Sequence, residues 1–127
     1  MARQTIDAPG AASVGRYSHA AGNGDLLFLS GQTPIDPAAS KLVTGSIADQ
    51  TRQCFSNLFA VLTAAGLTEK DVVNVQVYLT DMNDFAEMNE VYAQQFSKPY
   101  PARTTIGVAS LPLNANVEIG MIANTRK

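Results

Sequence analysis

Pro101-Ala-Arg-Thr-Thr-Ile-Gly-Val108, a Leu111-Pro112 turn and then Asn116-Val-Glu-Ile-Gly-Met-Ile-Ala123 decide how this chain reads. The two runs read as strands joined by a short loop. The first carries one strong cation, Arg103, and the second one strong anion, Glu118, in otherwise apolar or small surroundings. Because side chains alternate along a strand, Arg103, Thr105 and Gly107 share one face, and Thr104, Ile106 and Val108 share the other. On the second strand Val117, Ile119, Met121 and Ala123 fall together, and Glu118 projects oppositely beside Gly120 and Ile122. If the strands pair around the Ala109–Ala115 loop, Arg103 and Glu118 lie near the same end of the sheet.

A guanidinium and a carboxylate converging on a sheet face have two readings. One is a structural ion pair or two solvated edge residues. The other is a small site in which Arg103 holds an anionic substrate and Glu118 handles a proton or a water. Arginine suits the first task because its planar fork matches a carboxylate bidentately.

The 127 residues suffice for a single domain, 1–127, with a real core. A chain 46% hydrophobic and 16% charged is neither disordered nor membranous, and no apolar run approaches the roughly 20 residues of a membrane span. The N-terminus, Met1-Ala-Arg-Gln-Thr-Ile-Asp7, lacks a hydrophobic signal region, which predicts a cytoplasmic setting. Net charge is −2 with Lys and Arg scattered, against the basic stripe of a nucleic-acid binder. With one cysteine, Cys54, and one histidine, His19, an internal disulfide is impossible and no metal-ligand spacing exists. Cys54 falls in a helical apolar stripe and reads as a buried thiol; His19, without partners, reads as structural.

Arg3 to Ile6 reads as a short edge strand, and Ala8 to Ala12 as loop. Tyr17 to Ala21, Gly22-Asn-Gly-Asp25 and Leu26 to Ser30 form a hairpin signal, since Asn-Gly supplies positive φ angles. The continuously apolar second strand predicts burial on both faces, ending in a polar turn, Ser30-Gly-Gln-Thr-Pro34. There Gly31 either permits the turn or lets backbone approach a ligand. Gln32 to Thr44 reads as loop. Ser46 reads as an N-cap with Asp49 three residues on, opening an amphipathic helix that ends at Gly66. Val72 to Leu79 alternates as a strand, with Val73, Val75, Val77 and Leu79 on one face. Asp81 or Asn83 caps a second helix with the stripe Phe85, Met88, Asn89, Tyr92 and Phe96. Asn89 is a polar residue within that apolar face and needs a partner there. Two helices cover one face of such a sheet, so the apolar residues of the other predict a closed homo-oligomer with clefts between subunits.

With these elements placed, the sequence resembles the reactive intermediate deaminase (Rid, YjgF-like) family over essentially its whole length. The resemblance rests on Gly15-Arg-Tyr-Ser18, Leu29-Ser-Gly-Gln-Thr-Pro34, Val75-Gln-Val-Tyr-Leu-Thr-Asp-Met82, Phe85-Ala-Glu-Met-Asn-Glu-Val-Tyr92, Tyr100-Pro-Ala-Arg-Thr-Thr105, and Leu111-Pro112 with Val117-Glu-Ile119. Each piece alone is weak; six in order are specific. The resemblance implies a chorismate-mutase-like α+β fold, a mixed, mostly antiparallel sheet with two helices on one face. It further implies a homotrimer with three intersubunit clefts, and hydrolysis of 2-iminopropanoate and 2-iminobutanoate to 2-oxo acids and ammonia without cofactor or metal. Arg103 would hold the substrate carboxylate and Glu118 the water, with Tyr17, Ser30, Gly31 and Asn89 lining the cleft. Many members carry a cysteine where Thr105 stands, an exchange that removes a redox-sensitive thiol and keeps a hydroxyl able to bond a ligand. Two other classes remain open: a non-catalytic small-carboxylate binder using the same cleft, and an RNA-directed translation inhibitor or ribonuclease, which the scattered charge disfavours.

Overall fold

A computed structural model of the chain describes residues 2–11 and 15–126; the end of the predicted Ala8 to Ala12 loop falls outside them. Eight strands, β1 (Gln4–Ile6), β2 (Ala20–Gly22), β3 (Leu26–Gln32), β4 (Ile35–Asp36), β5 (Lys41–Leu42), β6 (Val72–Leu79), β7 (Ala102–Gly107) and β8 (Val117–Asn124), combine with two α-helices, α1 (Ile47–Ala64) and α2 (Phe85–Gln95). Six strands form one sheet in the order β1-β2-β3-β8-β6-β7, with β4 and β5 as a separate small ribbon. Among the described residues only the β6–β7 pair is parallel, and α2 supplies the crossover that parallel strands need. No helix among the described residues is long and apolar enough to cross a membrane.

α1 forms where capping and periodicity place it, whereas α2 opens at Asp84, which makes no side-chain cap bond, and not at Asp81 or Asn83. The Ser46 hydroxyl accepts from the Asp49 amide, satisfying one of the free amides of the α1 first turn. Gly66 follows the last turn at φ +75°, a conformation open to glycine. Asp81 caps a short 3-10 turn, Met82–Asp84, that runs into α2. Both helices pack on one face of the sheet. There Leu58, Val61, Val75, Val77, Leu79, Met88, Val117 and Ile119 are fully buried. Phe55 of α1 meets Tyr92 of α2 at 6.0 Å between ring centroids, and Tyr92 meets Phe96 at 5.1 Å.

Several local expectations change. β3 is not buried on both faces: Leu27 and Leu29 are buried, but Leu26 and Phe28 are 43% and 52% exposed. Its two apolar sets divide between the helix-covered face and the open one. Ser30-Gly31-Gln32 is not a turn; it continues β3, and the register against β8 slips between Leu29↔Met121 and Gln32↔Ile119. That is a bulge, one extra residue on β3. The hairpin's first strand is Ala20–Gly22, shorter than Tyr17 to Ala21, and the Gln32 to Thr44 loop contains the β4–β5 ribbon. A second irregularity, between Val72 and Asn74 of β6, buries Val72 and leaves Val73 exposed, reversing the strict alternation there.

The largest correction concerns β7 and β8, which do not pair. β6 lies between them. The connection from Val108 to Asn116 contains its own 3-10 turn, Pro112–Asn114, too long for a tight hairpin. The more apolar β8 takes the sheet centre, and the Arg-Thr-Thr strand takes an edge.

His19 fixes the N-terminal segment. Its Nδ1 accepts the buried Ala8 amide at 2.8 Å, and a buried amide without an acceptor is costly. His19→Ala is expected to cost about 1–3 kcal/mol more than His19→Asn, whose side-chain oxygen can replace Nδ1. Urea unfolding measures the difference, and equal stabilities would show that the bond carries no weight.

Candidate functional site

Arg103 and Glu118 stand on opposite faces of the sheet. Arg103 pairs with Val75 across the β6–β7 ladder, and Val75 is on the helix-covered face; Glu118 pairs with Tyr78, on the open face. They are two strands apart, about 10 Å sideways, and three residues apart along β6, about another 10 Å. A single chain therefore does not bring them together.

Each has its own cavity. The first, of about 390 Å³, is lined by Asn89, Tyr92, Ala93, Tyr100, Pro101 and Arg103. The Arg103 Nη1 donates to Asn89 Oδ1 at 2.6 Å, and its guanidinium lies 4.4 Å from the Tyr92 ring centroid and 5.6 Å from that of Phe85. Asn89 and Tyr92 are one helical turn apart on α2, so both reach the same side chain. This answers what the polar residue in the α2 stripe does: it holds the arginine. Tyr92, read from sequence as core, is also the face on which the guanidinium stacks. Burial pushes the Tyr92 phenol up, with Arg103 opposing. Arg103 makes no ion pair among the described residues. Thr105 lies two residues along the same face with its hydroxyl buried and unpartnered; it stands outside the walls of this cavity.

The second cavity, of about 410 Å³, is lined by Tyr17, Ser30, Gly31, Thr33, Pro112 and Glu118. It thus collects four of the site residues expected from sequence, and omits Asn89, Arg103 and Thr105. The Ser30 hydroxyl donates to the Ser18 carbonyl at 2.6 Å, which ties the bulge to the segment carrying Tyr17. Glu118 faces no cation there, and burial raises its carboxyl above the ordinary glutamate value. Gly31 has neither a turn nor a positive φ to explain it. A Cβ at this position would lie 2.6 Å from Glu118 Oε2, so the missing side chain is the room the carboxylate occupies. Thr33 and Pro112 were not legible as site residues because the bulge and the β7–β8 connection bring them in. Among the described residues no group of three or more His, Cys, Asp or Glu gathers to hold a metal.

This arrangement defines an α+β chain with two separate cavities, one walled by Arg103 and the other by Glu118. The Endoribonuclease L-PSP family model matches residues 5–125. The chain belongs to that family, the Rid (YjgF/RutC) proteins. It is 51% identical to a RutC family protein of Pyrococcus horikoshii, covering 87% of each chain. It is 43% identical to a 2-iminobutanoate/2-iminopropanoate deaminase of Dermatophagoides farinae, covering 86% of this chain and 85% of that one. Among solved structures, E. coli TdcF with bound serine superposes with a TM-score of 0.90 at 36% identity, covering 98% of this chain and 99% of that one.

Two outcomes follow from the Glu118 cavity. Gly31→Ala should fold with stability within about 1 kcal/mol of wild type, yet its crystal structure should show the Glu118 carboxylate displaced. An unmoved carboxylate would overturn the packing role of Gly31. The raised carboxyl of Glu118 also has a thermodynamic sign. Its cost to folding is absent below the ordinary glutamate value, grows as pH rises through the window up to the raised folded value, and is fully present above it. Glu118→Gln should therefore melt higher than wild type above that raised value, with the gain vanishing in acid; a gain independent of pH would remove charge burial as its cause.

Proposed function

We propose that the protein hydrolyses 2-imino acids such as 2-iminopropanoate and 2-iminobutanoate to 2-oxo acids and ammonia, in a cleft where the Arg103 cavity of one copy meets the Glu118 cavity of the next. The observation that carries this reading is Arg103 itself: a guanidinium fixed by Asn89 and Tyr92 with no carboxylate partner among the described residues. Such a group is ready for the carboxylate of a ligand. The name of the Dermatophagoides farinae relative supports the imine as substrate, and serine bound to TdcF supports a small amino-acid-like ligand.

Joining an edge-strand cavity of one copy to an open-face cavity of another is a heterologous contact, which closes only as a ring. Leu26 and Ile106, exposed on the open face, supply apolar surface for it. A homotrimer, the assembly implied by the family resemblance, would hold three such clefts.

In the cleft Arg103 fixes the substrate carboxylate. Glu118, ionised, takes a proton from water as its oxygen adds to the imine carbon. The resulting carbinolamine receives that proton on nitrogen, and Glu118, ionised again, takes the hydroxyl proton as the C–N bond breaks, the carbonyl forms and ammonia departs, carrying that proton away as ammonium. Because Glu118 must be ionised, activity falls as pH drops through its raised value. Imines hydrolyse unaided, so a thousandfold gain requires only about 4 kcal/mol, within reach of orientation and one general base.

Arg103→Lys replaces a fork by a point charge and should lose about 10–100-fold in kcat/KM while keeping the oligomer. The measurement is a coupled assay in which an amino-acid oxidase generates the imine and semicarbazide competes for it. A fully active lysine variant would sink the carboxylate clamp. If wild type itself fails to outrun the trap, the deaminase reading fails.

A further inference from the structure

A third cavity, of about 470 Å³, adjoins the Glu118 cavity and shares two of its wall residues, Tyr17 and Ser30. Its other walls include Arg3 and Arg16, with Phe28 as apolar floor and no Asp or Glu. Arg52 is paired with Asp49 and Arg126 with Asp25; Arg3 and Arg16 make no ion pair among the described residues. In a chain of net charge −2, two exposed guanidinium groups from separate segments line one groove that has no carboxylate among its walls, which makes its local potential positive. Their planar forks suit a carboxylate. The shared wall puts this groove next to the place where Glu118 would deliver water.

We infer that the Arg3–Arg16 groove is a subsite for a second carboxylate of the substrate, so that the preferred ligands are dicarboxylic imino acids and their 2-oxo diacid products. This rests on the carboxylate-binding cleft proposed above and adds to it a substrate class. In the assembled cleft the two ends of the ligand divide between cations: Arg103 of one copy takes the carboxylate beside the C=N group, and Arg3 and Arg16 of the next take the distal one. The chemistry is unchanged. Water adds to the imine carbon, ammonia leaves, and the distal carboxylate remains intact.

Calorimetric titration with two stable 2-oxo acids tests the subsite apart from turnover. 2-Oxoglutarate has the second carboxylate and 2-oxobutanoate lacks it. Wild type should bind 2-oxoglutarate about tenfold or more tighter. In the Arg3→Ala/Arg16→Ala double variant that preference should collapse, and in Arg52→Ala, a cation removed elsewhere, it should persist. Equal affinities in wild type, a preference that survives the double variant, or equal loss in Arg52→Ala would each overturn the subsite. If 2-oxobutanoate binding depends on Arg103 while 2-oxoglutarate gains nothing, the subsite alone falls. If neither acid binds wild type, the cleft reading falls with it.

Discussion

The alternation of β8 at the centre of the sheet is the constraint from which the rest of the molecule follows. Val117, Ile119, Met121 and Ala123 are buried beneath the helices, and a slip of one residue would turn that whole set to the other side. The same register fixes Glu118 and Gly120 on the uncovered face, Glu118 against Tyr78 and Gly120 against Gln76. The carboxylate is thus aimed by the packing of its neighbours, and α1 holds that packing in place. Arg103 is aimed by a different device. It sits on the outermost strand, where main-chain pairing reaches only β6, and its direction comes from α2 through Asn89 and Tyr92. The aromatic contact of Tyr92 with Phe55 then links the arginine's stacking surface to the same helix that covers β8.

Much of this was legible in the chain. Ser46, Gly66 and the three-and-four spacing of α1 gave its limits, because capping and amphipathicity are local. The faces within β7 and β8 were also readable, because alternation is local too. The pairing of strands was not. Whether β8 returns beside β7 or is separated from it depends on which strand is buried deepest, a competition among segments far apart in sequence. Reading a hairpin there put Arg103 and Glu118 on one side of one sheet, and the parallel β6–β7 unit separates them. The site residues Tyr17, Ser30, Gly31 and Glu118 do share a cavity, but the reason for Gly31 lay in a bulge whose register no local pattern announces. Likewise Asn89 stood out as a polar residue among apolar ones, and its partner became known only when α2 was set against β7.

The sole cysteine is also explained by place. Cys54 is completely buried under the sheet, its Sγ near the Val117 carbonyl. Burial first, and the nearby Glu118 charge second, push its thiol well up. A thiol that stays protonated and inaccessible neither attacks nor oxidises readily. With Thr105 on the edge strand, neither position offers a reactive sulfur.

Gly31 and Glu118 occupy what is, in volume, one residue's worth of space between two strands. Every replacement of Gly31 by another amino acid adds at least a Cβ on top of an Oε2 only 2.6 Å away. The acid is therefore insured less by its own codon than by the emptiness of a neighbouring one. Were the side chain at position 118 shortened, position 31 would have room for a Cβ; with the carboxylate in its present place it has room only for hydrogen.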